Sequence, residues 1–186
     1  MFTEITASRQ SQILRAVIVT CFILFAAVVR VLPHPWNFTP VGAMALFSGA
    51  KFGRTSKAFV LPLSALLLGD LFVGFYWIMP LVYLSFCLSV VIGIFVRNRQ
   101  SPGPLSIATL LGATQFFLLT NLAMWSFGTT YPKSLEGLLN CYTAGIPLFG
   151  NTLTGDAFYA FLLFGGFALV ERIVPAFRST GPVTST

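Results

Sequence analysis

Charge is scarce in this chain. Only 9 % of its residues are Asp, Glu, Lys or Arg, against roughly 25 % in a soluble domain. Five of 186 residues are acidic and one is histidine. So few charges cannot cover a water-facing surface, which excludes a soluble globular domain. Cysteine is also sparse: Cys21, Cys87 and Cys141 show no CxxC or metal-finger spacing, and an odd number gives no disulfide framework. HExxH, GxSxG, Walker A and GxGxxG motifs are all missing. The residues therefore give no support for an enzyme, and an ATP-driven machine would have to borrow its motor. There is no internal repeat and no low-complexity stretch.

What is present is apolar. Hydrophobic residues make up 56 % of the chain, and the mean hydropathy is +0.85. These values indicate an all-α integral membrane protein. The net charge of +6 could suggest nucleic acid, but the basic residues lie between apolar segments, where the positive-inside rule puts them. Nucleic acid is therefore not an expected partner, and the lipid bilayer is.

A spanning helix needs about 20 apolar residues. Six segments approach that length, which predicts a six-helix bundle forming a single domain over residues 1–178, with a polar tail at 179–186. The first runs from Ile13 to Leu32. It shows no A-x-A cleavage site, so it reads as a retained helix and not a removed signal. Pro33, Pro35 and Pro40 break the chain. The second segment, Val41 to Phe52, is too short to cross unless residues 37–40 lie at membrane depth. The third runs from Ala58 to Trp77, the fourth from Pro80 to before Arg97, the fifth from Leu105 to Phe127, and the sixth from Thr152 to Val174. Between the last two, Tyr131 to Tyr142 reads as a short amphipathic interfacial helix. With both termini inside, nine basic residues (Arg9, Arg15, Lys51, Arg54, Lys57, Arg97, Arg99, Arg172 and Arg178) are cytoplasmic, and only Arg30 and Lys133 are outside.

This topology gathers the unusual polar residues on the outer half. Asp70 lies in an otherwise apolar, small and aromatic run, where burying a carboxylate costs several kcal/mol unless something pairs with it or wets it. Arg30 is a possible partner that would fix helix packing, which is compatible with a binding role. His34 and Asn37 lie in the outer loop, and Asn121 and Trp125 in the outer part of segment five. Asn151 and Asp156 open segment six. Together they suggest a pocket open to the outside, ringed by Trp36, Phe75, Tyr76, Trp77, Tyr83 and Trp125.

Plainer roles compete for each residue. Asp156 suits the N-terminal dipole of its own helix, His34 suits an exposed loop, and Asn121 can bridge helices. The outer aromatics can form an interfacial belt. Cys87, about 10 Å below the outer end of segment four, reads as an apolar filler or as a soft thiolate donor to a transition metal. Ala45, Gly49 and Gly53 form a small-residue stripe that permits close helix approach, within the protein or to a partner, with the internal use favoured.

The string Arg30-Val-Leu-Pro-His-Pro-Trp-Asn-Phe-Thr-Pro-Val-Gly-Ala-Met-Ala-Leu-Phe-Ser-Gly-Ala50 resembles the signature of a small bacterial membrane family related to the S components of energy-coupling-factor (ECF) vitamin transporters. Leu68-Gly-Asp-Leu-Phe-Val-Gly-Phe75, Val82-Tyr-Leu-Ser-Phe86 and Gly150-Asn-Thr-Leu-Thr-Gly-Asp156 look similar too. The resemblance implies vitamin uptake across the bacterial inner membrane. Within that group, the solitary, BtuM-like cobalamin transporters carry a membrane cysteine that coordinates cobalt. Cys87 is the residue here that would match it, making cobalamin the candidate substrate. The ATPase-coupling pattern of small residues four apart on the first helix is replaced by adjacent Ala26 and Ala27. A solitary carrier therefore fits better than a partner of an ECF ATPase module. A carrier of another vitamin or small hydrophobic cofactor, and a membrane subunit docking a partner, are the alternatives.

Overall fold

The computed structural model describes residues 35–173 without a break, together with 21, 23–26, 28, 29 and 31–33. Among these, all regular structure is helical: α1 Val41–Phe52, α2 Ser56–Val73, α3 Met79–Phe95, α4 Pro102–Phe127 and α5 Leu135–Ile173. The described residues of the first apolar segment between 21 and 31 are helical as well. Arg30 and His34 lie outside the described residues, as do the two ends of the chain. The helices α2, α4 and α5 are long and apolar enough to cross a membrane, and α1 and α3 are shorter apolar helices. The protein is thus a helical membrane protein.

The shortest helix lies at the centre. Its 12 residues rise roughly 18 Å, well short of an apolar layer of about 30 Å. Every residue from Val41 to Ala50 is buried. Such a helix is not a lipid-facing span but a core, and its small residues are what let its neighbours close in. A Cβ on Gly49 would lie 2.1 Å from the Val90 carbonyl oxygen, and one on Gly93 would lie 2.2 Å from that of Leu46. The helices α1 and α3 therefore touch backbone to backbone, and the Gly49 and Gly53 positions of the small-residue stripe are used inside the protein. On the opposite face, Phe47 packs edge-on against Phe164 and Phe167 of α5, and Lys51 places its ammonium 4.2 Å above the Phe167 ring.

A proline in α2 is accommodated by α1. Pro62 has no N–H, so the carbonyl of Ala58 one turn earlier loses its helical donor. Ser48, fully buried on α1, donates its hydroxyl to that carbonyl at 2.7 Å. Gly74, at φ 100°, then turns the chain out of α2, so this helix ends at Val73 and not at Trp77.

The last helix departs most from the sequence-based expectation. The interfacial helix and the sixth segment are one continuous helix of 39 residues that runs through Pro147. Its rise of roughly 58 Å exceeds the thickness of an apolar layer. Packing on α4 keeps it continuous. Tyr142 donates to the Leu118 carbonyl at 2.9 Å, Phe117 lies against Tyr142 and Phe149, and Gly145 fits over the Asn121 amide. These contacts bracket the proline on both sides.

The contacts also set the helix directions. Residues 42, 47 and 51 of α1 meet 156, 164 and 167 of α5, while 49 and 53 meet 90 and 97 at the end of α3. Hence α1, α3 and α5 run one way, and α2 and α4 return. Lys51, Arg54, Lys57, Arg97, Arg99 and Arg172 collect at one end of the bundle and Lys133 at the other. The Ser48→Ala variant is expected to lose about 1–3 kcal/mol by orphaning the Ala58 carbonyl. Adding Pro62→Ala, which restores an N–H, should recover most of that loss in thermal unfolding of the detergent-solubilised protein.

A candidate binding cavity at the start of the central helix

Because α1 is short, its N-terminus stops inside the bundle and leaves space above it. That space is a cavity of about 390 Å³. Its mouth is framed by Trp36, Asn37 and Thr39 before α1 and by Tyr76 and Ile78 between α2 and α3. Asn37 takes φ 65°, a left-handed conformation that asparagine tolerates better than most residues. Asn151 of α5 holds this loop by donating to the Trp36 carbonyl at 3.0 Å. Deeper, the walls are Val82 and Phe86 of α3, Phe116, Phe117, Thr120 and Asn121 of α4, and Phe149, Thr152 and Asp156 of α5. Ser89 and Gly112 form the floor.

The aromatic rings are set by one another. Phe86 and Phe116 have centroids 5.3 Å apart, and Phe117 and Phe149 5.1 Å apart, both tilted. The polar wall groups are turned toward their own backbones. Thr120 donates to the Phe116 carbonyl, Asn121 to that of Phe117 and Thr152 to that of Leu148, at 2.7, 2.8 and 2.9 Å. Such back-bonding spends both threonine hydroxyl donors and one of the two Asn121 N–H groups. Behind the floor, Gln115 donates to Ser85 O and Ser89 Oγ at 2.8 and 3.1 Å. Its own buried Oε1 has no hydrogen-bond partner.

Asp156 does not open its own helix. It sits near the middle of α5, buried, with 5 % of its surface exposed. Its carboxylate lies over Gly42, where a Cβ would come within 2.2 Å of Oδ1, and it accepts the backbone N–H of Ala43. The N-cap position of α1 is Pro40, which offers no side-chain cap. Asp156 therefore caps α1 from another helix and meets the positive end of that helix's dipole. The capping expectation names the right interaction on the wrong helix, because the helix containing Asp156 starts five turns earlier than its sequence suggests.

Three of the residues singled out by sequence, Asn37, Asn121 and Asp156, come together on this wall, with Trp36 and Tyr76 of the expected aromatic ring. Others are not wall residues. Asp70 is fully buried and accepts the Tyr83 hydroxyl at 3.0 Å, so these two meet each other at the α2–α3 contact. Trp125 donates to the Pro132 carbonyl at 2.9 Å in the α4–α5 turn, where Lys133 donates to the Trp125 and Gly128 carbonyls. Phe75 and Trp77 are exposed. Cys87 is half-buried on α3, one residue beyond the wall residue Phe86, which rotates it about 100° around the helix. The pairing of Asp70 with Arg30, and the place of His34, fall outside the described residues. Phe86, Phe116, Phe117 and Phe149 escape sequence reasoning. The spacing of Phe117, Thr120, Asn121 and Met124, all on one helical face, is the signal that could have found part of this wall.

A bundle of apolar helices enclosing an aromatic cavity defines the class: a helical membrane protein with an internal small-molecule-sized space. Residues 10–177 match a family model described as a family of unknown function (DUF6580), and the chain belongs to that family. No curated protein and no solved structure matches it.

Both Gly42→Ala, which displaces the carboxylate, and Asp156→Ala, which removes it, are expected to lower the unfolding midpoint by an amount equivalent to about 1–3 kcal/mol. Because they break one contact, the double variant should cost no more than the larger single loss. Thermal melts of the three proteins would check this.

Proposed function

We propose that the protein is a small-substrate-binding carrier of the bacterial inner membrane, of the vitamin-uptake kind, which takes its ligand into the cavity above α1. The observation that carries this reading is the cavity itself: about 390 Å³, lined by aromatic rings and a few polar oxygens, inside a membrane bundle. Its size is at the small end of the roughly 300–1,000 Å³ of small-molecule sites, with room for one or two fused rings and their substituents. In this reading the basic end of the bundle is cytoplasmic, and the chain crosses six times with both termini inside. The mouth, framed by Trp36 and Tyr76, then faces outward, and the floor at Ser89 and Gly112 closes it toward the cytoplasm.

The resemblance to S components supports uptake over a purely structural role, as does the internal use of Gly49 and Gly53, which leaves those positions unavailable to a docking partner. It also supports a carrier that works alone. The geometry of the cavity supports one alternative for the substrate over the other. Coordination of a corrinoid cobalt by Cys87 requires the thiol beside the ligand, but Cys87 is not on the cavity wall, and a corrin macrocycle with its nucleotide loop exceeds the space. The smaller-ligand alternative, another vitamin or compact ring cofactor, is the better fit. Transport requires the cavity to gain access to the cytoplasmic side by movement of helices past one another.

Mass spectrometry of what co-purifies, and its uptake into proteoliposomes, test the proposal. A Cβ at Gly112 would meet nothing closer than 3.6 Å, so Gly112→Ala should transport normally while Gly112→Leu fills the floor and abolishes binding. Cys87→Ala is expected to leave uptake within about twofold of wild type, a change of under about 0.5 kcal/mol. A red or yellow preparation that loses its colour in Cys87→Ala would instead establish the corrinoid. An empty, collapsed interior with a tightly co-purifying protein would overturn the carrier.

A further inference from the structure

Among the described residues, Asp156 is the only charged side chain on the cavity wall, and it is nine-tenths or more buried. A buried carboxylate in a membrane bundle is costly unless opposite charge meets it. Its one described hydrogen bond comes from the Ala43 N–H, and the end of a helix supplies roughly half a positive charge. The basic side chains among the described residues lie elsewhere, at the two ends of the bundle, with Lys133 donating to backbone carbonyls of the α4–α5 turn. Among the described residues no basic side chain is thus placed to balance this carboxylate.

Several groups deeper in the wall share this polarity. The hydroxyl donors of Thr120 and Thr152 are already used on their own helices, so acceptor oxygens are what these two offer a ligand, while Asn121 keeps one of its two N–H donors. The rings of Phe86, Phe116 and Phe149 line the same space, and an aromatic face attracts positive charge through its quadrupole. A carboxylate, spare acceptors and π-faces repel an anion. They do not suit a metal ion either, since among the described residues no three His, Cys, Asp or Glu side chains cluster.

We propose, resting on the carrier reading above, that the ligand is an organic cation built on an aromatic ring, bound with its positive group at the Asp156 carboxylate and its ring between the aromatic walls. The Asp156→Asn variant isolates the charge, because the amide oxygen can still accept the Ala43 N–H and keep α1 capped.

Three probes of one shape and different charge test the proposal by equilibrium dialysis against the full-length protein in nanodiscs: N-methylquinolinium, methylnaphthalene and naphthoate. Wild type is expected to bind the quinolinium at least about tenfold more tightly than methylnaphthalene and to exclude naphthoate, and Asp156→Asn to lose the preference for the cation. Should that variant fail to fold, Phe116→Leu gives an independent measure, because loss of a ring face should weaken the quinolinium more than methylnaphthalene. Equal or tighter binding of the neutral or anionic probe overturns the cation reading and leaves the carrier standing, as does a folded Asp156→Asn that keeps the preference. Failure of all three probes to bind overturns the cation reading together with the carrier.

Discussion

The bundle depends on burying a helix too short to span a bilayer. A helix leaves four N–H groups unsatisfied at its start and four carbonyls at its end. In lipid these would be costly, so α1 is enclosed by other helices that answer its backbone. Asp156 of α5 accepts an amide at its start. The carbonyls of Leu46 and Val90 pass through the gaps left by Gly93 and Gly49. In the other direction α1 serves its neighbour, through the hydroxyl that Ser48 gives to the carbonyl freed by Pro62. The cavity follows from the same shortness, since it occupies the depth that α1 does not fill.

Legibility followed the prolines. Pro40, Pro80 and Pro102 each sit at a helix start, and the bounds of α1 and α3 are readable from them to within a residue or two. Pro147 is different. The sequence reads as an interfacial helix at Tyr131 to Tyr142 and a separate segment from Thr152, but contacts with α4 on either side of Pro147 keep one helix going. Propensity is a local quantity, and those contacts join residues more than twenty positions apart. The error then moved Asp156 from the middle of a helix to its first turn and assigned its capping to the wrong partner.

The site was legible where a residue was out of keeping with its surroundings. Asn121 and Asp156 are polar groups in apolar segments, and both line the cavity together with the loop residue Asn37. Asp70 and Tyr83 are equally conspicuous yet meet each other, because an anomalous polar residue reports a buried partner without saying whether that partner is a ligand. The aromatic walls were hidden by abundance. The chain has 20 phenylalanines, many of which suit lipid as well as a cavity, and only helix rotation separates them. Phe86 and Cys87 are neighbours in sequence and point to different faces.

The hydrogen bond from Asn151 to the Trp36 carbonyl ties the mouth of the cavity to α5. The same helix carries Asp156 a turn and a half further on, and Phe167 beneath Lys51 at the far end of α1. Gate, charged group and basal contact are therefore mounted on one rod, clasped to α1 along its length. The three points lie on one continuous helix. A rearrangement that exposed the cavity to the opposite side would have to carry α1 and α5 together as one unit. The sliding surface would then be the seam between this pair and α3 and α4, where Gly49 and Gly93 already let the backbones pass at close range.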